Sequence, residues 1–330
     1  MKAFVAKRWF LLLICAGAVL VGVSPRALRW TTVLDPSLTG ATAIFLSSWS
    51  LNTRKLLGAL LRPAAALWAV VISYGLLPAL AWLLGLLLPH PDLRVGLLLI
   101  ASVPCTLASA VIWTRMAAGN EATALLVTLF TNMSSWLATT AWLTLGTSVA
   151  TDEGIVLGIM ARLLLVLVLP VGLGQLLRCW SALAAYADRQ RTGFSILARL
   201  LTVTIMLKAA VEVRDRLETG TATVRAALLL AVAALCLAVH LAAFAAGFWS
   251  SKGLGFSHGD QVAVALAGSQ KTLPVSLILF DAYFTAYPLA VVPVAFFHLG
   301  QLVLDTFLAE WFAGRRPPEP AAELVAEAVI

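Results

Sequence analysis

The sequence is a series of long apolar runs separated by short stretches that contain polar residues, Gly or Pro. A helix needs about 20 mostly apolar residues to cross the hydrocarbon core of a bilayer, and most of the runs approach or exceed that length. The pattern predicts ten membrane-spanning helices. The predicted spans cover residues 9–23, 38–51, 64–88, 93–114, 121–148, 154–177, 194–212, 224–249, 260–282 and 286–312.

The composition supports this interpretation and excludes most soluble enzymes. Of the 330 residues, 61% are hydrophobic and 12% are charged, and the mean hydropathy is +0.95. Ten spans would use about 200 residues, which leaves no room for a sizeable extramembrane domain. The fold class expected is therefore an all-α polytopic protein of the lipid bilayer. The net charge of +7 includes no basic run with interleaved aromatic residues, so we expect no nucleic-acid partner.

The distribution of Lys and Arg predicts the orientation. With a cytoplasmic N-terminus, thirteen of these residues fall in inside segments and six in outside segments. Cytoplasmic loops carry the excess of positive charge, so we expect an even number of spans and two cytoplasmic termini. The expected location is the cell (inner) membrane, crossed several times. The first span, which follows three basic residues, also fits a cleaved signal peptide.

Two prolines interrupt spans at matching places. Pro104 lies in the fourth span, and Pro274 lies 170 residues later in the ninth, near an interruption that begins at Gly268. Five spans per half is an odd number, so the halves 1–150 and 151–313 are predicted to be inverted repeats with broken helices 4 and 9. Residues 314–330 are expected to form a disordered cytoplasmic tail.

Broken helices at equivalent positions indicate a secondary transporter, because non-helical backbone at mid-membrane depth is tolerated only inside protein or beside a cavity. The alternative is that each proline merely kinks its helix.

Polar residues beside the two breaks are the candidate binding residues. Lys271 is the strongest, because an ammonium within the bilayer is costly and needs a cavity or a partner. Arg162, Arg199 and Lys208 lie closer to span ends, and structural or interfacial roles are favoured for them. Hydroxyl groups in membrane helices often bond their own backbone, and a lone histidine often packs, so these are weaker candidates. The full set is Ser109, Thr114, Asn120, Glu121, Thr128, Asn132, Ser269, Gln270, Lys271, Thr272, His298 and Gln301.

Four stretches resemble the bile acid:sodium symporter family, and in particular its branch of sodium/bile acid cotransporter seven-like proteins and bacterial relatives. They are SLNTRKL at 50–56, SAVIWTRMAAGNEA at 109–122, GDQVAVALAGSQKTLP at 259–274, and the pair His298 and Gln301. The resemblance implies ten helices, with a panel of spans 1, 2, 6 and 7 and a core of spans 3–5 and 8–10. It also implies symport of an amphipathic organic anion, commonly with two sodium ions.

The resemblance further implies that Thr128 and Gln270 contribute sodium ligands, but the pattern departs from the sodium-coupled members. Leu266 stands where those members have a glutamate, and Lys271 where they have a neutral amide. Two hypotheses remain open. The ammonium replaces a sodium ion as a fixed positive charge, or it exchanges a proton, with Glu121 as a possible partner, and couples transport to protons. No cofactor is expected beyond a coupling sodium ion or proton.

Two other functions compete with transport. A non-transporting regulator of the same fold would bind a lipid or another partner without moving it. An intramembrane enzyme would draw on His240, His298, Asp281, Asp305 and Ser269. Neither a GxSG elbow beside a histidine nor an HExxH motif occurs, so the sequence predicts that the chain is not an enzyme.

Overall fold

The computed structural model describes residues 2–107, 109–147, 152–219 and 226–314, and the regular elements in these ranges are all helices. The predicted tail beyond Gly314 therefore lies outside the described residues. The α-helices are α1 Lys2–Val23, α2 Pro36–Trp49, α3 Thr53–Ala59, α4 Ala64–Val71, α5 Leu77–Gly85, α6 Pro91–Ser102, α7 Ser109–Met116, α8 Glu121–Gly146, α9 Glu153–Leu163, α10 Leu169–Leu177, α11 Ser181–Arg189, α12 Arg191–Thr219, α13 Ala226–Gly253, α14 His258–Ser269, α15 Leu273–Tyr283 and α16 Val291–Ala313.

Two of the predicted spans are single rods that contain one wide turn. The π-turn Ile72–Leu76 joins α4 to α5, and the π-turn Leu164–Val168 joins α9 to α10. A proline lies in the first turn of the helix that follows each of them, Pro78 in α5 and Pro170 in α10. Proline has no N–H to donate and its ring crowds the preceding turn, so a locally widened helix is the expected response.

The prediction of an all-helical membrane protein is confirmed. Among the described residues, however, fewer than ten helices are long and apolar enough to be identified as membrane spans. Six helical runs of the described residues are long and apolar enough to cross a membrane, and a seventh is added if α1 and the 3-10 helix Pro25–Val33 are counted as one bent pair. Their bounds are Ala64–Gly85, Glu153–Leu177, Arg191–Glu212, Ala226–Gly253, His258–Tyr283 and Pro288–Ala313. The shortfall has physical causes: α2 has only 14 residues, α6 and α7 are halves of one broken segment, and α8 is rich in Ser and Thr.

The helices pack as two groups. The small bundle consists of α1, α2, α9, α10 and α12, in which α2 packs against α10 and α12. The large bundle consists of α4 to α8 and α13 to α16, with α13 packed on α14 and α16, and α6 packed on α5 and α16. The groups meet where α15 contacts α2 and α12. Large apolar side chains remain exposed on the outside, including Leu61 and Leu145, as expected for surfaces that face lipid.

Small residues allow close packing in the large bundle. All residues of α14 from Val262 to Ser269 are buried, and most are Ala, Gly, Ser or Val. At Gly247 of α13, a Cβ atom would lie 3.3 Å from the Cα atom of Ala265. Membrane helices associate closely where such small residues meet, and this contact holds the first half of the ninth predicted span in place.

Gly96 provides a test of this packing. A Cβ atom at Gly96 would lie 1.9 Å from the main-chain oxygen of Ala290, which cannot move without shifting the start of α16. We expect Gly96→Ala to lower the free energy of unfolding by about 1–3 kcal/mol or more, the usual cost of overpacking. The fraction of monodisperse protein that survives heating in detergent measures this. Gly172→Ala is the matched control, because no atom lies within 4 Å of its added Cβ, and equal losses in both variants would contradict the prediction.

The sequence analysis did not predict the short helices α3 and α11. They follow α2 and α10 at the same face of the small bundle, where the prediction placed only loops. The second predicted span, in contrast, is present as α2, which begins after Asp35. The Asp35 side chain accepts a hydrogen bond from the Leu38 main-chain N–H, so it caps the helix.

Candidate functional site at the crossing of two interrupted helices

The interruptions in the fourth and ninth predicted spans meet inside the large bundle. The helix α6 ends at Ser102 and α14 ends at Ser269, and an extended segment follows each of them. The main-chain N–H of Thr272 donates a hydrogen bond of 3.0 Å to the main-chain oxygen of Pro104, so the two segments are bonded directly. Other main-chain groups of these segments lack helical partners and must find them elsewhere, because an unpaired group would be costly here.

Gln301 of α16 supplies those partners in the second segment. Its Oε1 atom accepts from the main-chain N–H of Lys271 at 2.9 Å, and its Nε2 atom donates to the main-chain oxygen of Lys271 at 2.8 Å. His298 lies one turn earlier, with Nδ1 3.0 Å from Gln301 Nε2 and 3.3 Å from the Lys271 oxygen. Nδ1 cannot accept from Gln301 and donate to Lys271 at once, so each tautomer of His298 makes one of these two hydrogen bonds.

Asn132 of α8 performs the same task for the first segment. Its Nδ2 atom donates to the main-chain oxygens of Cys105 at 3.0 Å and Thr128 at 2.6 Å. The hydroxyl oxygen of Thr131 accepts from the main-chain N–H of Cys105 at 3.3 Å. Each interrupted segment is thus stabilised by an amide side chain from the next predicted span, Asn132 of α8 for the first and Gln301 of α16 for the second.

The Lys271 side chain is fully buried and fully hydrogen-bonded. Its Nζ atom donates to the main-chain oxygen and the hydroxyl of Ser73, at 2.7 and 2.9 Å, and to the main-chain oxygen of Val103 at 2.9 Å. The Tyr74 ring centroid lies 5.0 Å away, which adds a cation–π contact. Val103 follows the last residue of α6, where unpaired carbonyls carry partial negative charge that stabilises a cation. The buried ammonium therefore has three oxygen partners in place of water.

Gln270 belongs to a series of buried side chains in contact with one another, and this series was not predicted from the sequence. Its Oε1 atom accepts from the Thr106 hydroxyl at 2.7 Å and the Ser109 hydroxyl at 3.3 Å, and its Nε2 atom donates to Asp305 Oδ2 at 2.6 Å. The other Asp305 oxygen lies 3.0 Å from His240 Nε2. His240 Nδ1 lies 3.2 Å from the Ser269 main-chain oxygen, and His240 and Asp305 are both fully buried.

His240 and Asp305 were named from the sequence only for a competing enzyme function, although Asp305 lies four residues after Gln301 and therefore on the same helix face.

The two residues assigned to sodium by resemblance have protein hydrogen-bond partners in the structure. The Thr128 hydroxyl donates to the Leu125 main-chain oxygen within its own helix, and Gln270 Oε1 is occupied by hydroxyl donors. Leu266 is buried and apolar, and the ammonium of Lys271 lies beside the neighbouring extended segment. Hard cations prefer several convergent oxygen ligands with carboxylate among them, and this set lacks one at position 266.

Several predicted residues lie away from the crossing. Glu121 forms a two-point ion pair with Arg115, with both nitrogen–oxygen distances 2.6 Å. Asn120 caps α8 and donates to Asp260 Oδ1 at 2.8 Å, which connects the starts of α8 and α14. Thr114 is buried near the end of α7. Asn120 and the Glu121–Arg115 pair stabilise helix ends, and the structure pairs Glu121 with Arg115 and not with Lys271.

An open cavity lies between the two bundles, next to the crossing. The small bundle contributes residues near the end of α2 and the start of α12, and the large bundle contributes residues from α7, α8 and α16 and from the extended segments. Four of the predicted residues line it: Ser109, Asn132, Thr272 and His298. Lys271, Gln270 and Gln301 lie behind this wall and are each fully buried.

Comparisons with known proteins show which transporters this chain is similar to. The model of the SBF-like CPA transporter family matches residues 8–314. The sodium/bile acid cotransporter 7 of Danio rerio is 26% identical over 95% of this chain and 97% of its own length, and that of Mus musculus is 23% identical over 94% and 95%. The probable chloroplastic sodium/metabolite cotransporter BASS4 of Arabidopsis thaliana is 26% identical over 82% of this chain, which spans only 64% of that protein's length.

Proposed function

The chain belongs to the SBF-like CPA transporter family, and we propose that it is a secondary transporter that moves an organic anion or amphipath by alternating access. The observation that carries the proposal is the position of the crossing. It lies beside a cavity that is lined from one side by the small bundle and from the other by the large bundle. A movement of one bundle against the other changes the side from which such a cavity is reached, which is the basis of alternating access.

The proposed architecture is ten helices in two inverted repeats, 1–150 and 151–313, with a panel formed by the small bundle and a core formed by the large one. Two pairs of positions support the repeat. Pro274 follows Pro104 by 170 residues, and Gln301 follows Asn132 by 169. Within each pair the residues have similar places: the prolines lie in or directly after an interrupted segment, and the amides bond its main chain.

The proposed orientation places both termini in the cytoplasm of a cell whose inner membrane holds the protein. The cavity residues come from the end of α2, from α7 and from the first turns of α12. All three lie toward the face that the positive-inside rule predicts to be cytoplasmic. The structure then corresponds to a state in which the cavity is nearer the cytoplasm.

We further propose that the Lys271 ammonium takes the place of a sodium ion. The relatives are named as sodium cotransporters, yet here Nζ already holds three oxygen atoms at the crossing, two of them main-chain oxygens that can only accept. A tethered cation keeps the crossing positive without an ion from solution. Transport would then be independent of sodium.

A flux measurement in proteoliposomes tests both proposals. The purified chain is reconstituted, and uptake of bile acids, sulfated steroids and short organic acids is measured with sodium and with sodium replaced by N-methylglucamine. We expect uptake of at least one anion at rates that differ by less than about twofold between the two cations. A tenfold or greater dependence on sodium would overturn the tethered-cation proposal, and an imposed proton gradient that alone drives uptake would favour proton exchange at Lys271. Binding without flux for every compound would instead indicate a regulator.

A further inference from the structure

We infer that Arg199 on α12 and Trp113 on α7 recognise the negative group of the transported molecule from opposite walls of the cavity. This inference rests on the proposed transport function and adds to it the residues that select the charge. Arg199 belongs to the small bundle and Trp113 to the large bundle, and both line the same cavity. The cargo expected is an amphipath with one anionic head, a carboxylate or a sulfate, on an apolar body.

The described wall of the cavity is positively charged. Among the described residues that line the cavity, Arg199 carries a permanent positive charge and none carries a carboxylate. The Arg199 side chain is partly buried in this wall. From the sequence alone, a structural or interfacial role was favoured for it. A guanidinium in a poorly hydrated site binds a carboxylate or a sulfate through charge-assisted hydrogen bonds, which are stronger than neutral ones.

Trp113 contains a buried hydrogen-bond donor without an acceptor. The indole N–H of Trp113 is shielded from solvent and has no hydrogen-bond partner, whereas buried donors in folded proteins are nearly always paired. The Trp113 residue lines the cavity, so a turn of its ring would bring this N–H to an oxygen of a bound anion. An anion held by Trp113 and Arg199 together would connect the two bundles, so that occupancy of the cavity would bias their relative movement.

The remaining wall explains why an amphipath is expected. The hydroxyl protons of Ser47 and Thr202 are donated to main-chain oxygens one turn earlier, at 2.8 and 2.9 Å. Ile44, Leu107 and Leu302 provide apolar surface. This apolar surface, in the same wall as Arg199, suits the apolar body of an amphipath with a charged head.

Binding of matched pairs of compounds to the full chain in an uncharged detergent tests the inference. Each pair contains one anion and its neutral analogue: dehydroepiandrosterone sulfate with its unsulfated parent, and decanoate with decanol. We expect the wild-type chain to bind the anion of at least one pair about tenfold or more tightly, a difference that one charge-assisted contact can supply. Arg199→Gln should remove that preference while leaving the affinity for the neutral compound within about twofold, and Trp113→Phe should weaken anion binding several-fold.

Two control variants separate recognition from folding. Arg162→Gln removes a small-bundle arginine that donates to Ser37 away from the cavity, and Trp249→Phe removes an exposed indole; both should bind like the wild type. The inference is overturned if the wild-type chain shows no preference for the anion in either pair, or if Arg199→Gln keeps the preference. A preference that depends on Arg199 without any flux in proteoliposomes would overturn only the proposed transport function.

Discussion

We expect Lys271→Met to lower transport strongly, because it removes the positive charge from the crossing and leaves the acceptors without their donor. The main-chain oxygens of Ser73 and Val103 would lose bonds of 2.7 and 2.9 Å inside the membrane, where no water replaces them. An unpaired buried acceptor costs about 1–3 kcal/mol. We therefore expect uptake per folded molecule to fall by at least tenfold, together with a lower thermal stability. Uptake in proteoliposomes, normalised to the monodisperse fraction, measures both effects.

The comparison variants distinguish the charge from the folding defect. Lys252→Met removes a lysine from the end of α13, where it lies over the Trp249 ring at 5.3 Å, and should leave uptake and stability unchanged. Lys271→Arg keeps the charge in a larger side chain, so its folded fraction should retain part of the activity. Transport by Lys271→Met at the wild-type rate would remove the ammonium from the mechanism, whatever its effect on stability.

The interruption of the two helices was predictable from the sequence because proline and glycine act locally. Pro104 lies in the extended segment after α6, and Pro274 lies in the first turn of α15, directly after the second segment. Lys271 was likewise identified from the sequence, because burial of a charged side chain is costly. Its ammonium donates to the main-chain oxygen and the hydroxyl of Ser73. Such partners leave no sequence signal, since any residue carries a main-chain oxygen.

Contacts that depend on a distant helix could not be predicted from the sequence. Arg199 was expected near the membrane interface, but the packing of α12 against the large bundle makes it part of the cavity wall. Glu121 was a possible partner for Lys271. In the structure, Glu121 instead forms an ion pair with Arg115, which lies in the last turn of α7. Spacing along a helix predicts which residues share a face and gives no information about what that face contacts.

Asp305→Leu is expected to produce the largest loss of stability among the buried residues of the crossing. Asp305 accepts from Gln270 Nε2 at 2.6 Å and contacts His240 Nε2 at 3.0 Å, and all three side chains are fully buried. Asp305→Leu leaves the Gln270 amide and the His240 ring nitrogen buried without their acceptor, and each unpaired buried group costs about 1–3 kcal/mol. We expect the variant to yield little monodisperse protein after mild heating, whereas Asp305→Asn, which keeps an acceptor oxygen, should lose less.

The exposed residue Asp281 at the end of α15 provides the matched control, since Asp281→Leu removes the same charge from a site that water already reaches. A double variant, His240→Leu with Asp305→Leu, tests the cause of the loss. If the unpaired imidazole is responsible, the double variant should recover part of the stability, because two apolar side chains replace a pair whose desolvation was costly. Additive losses in the double variant would show that the pair is not coupled. In that case, the contacts of Asp305 with His240 of α13 and with Gln270 would not help to hold the interrupted ninth span against α16.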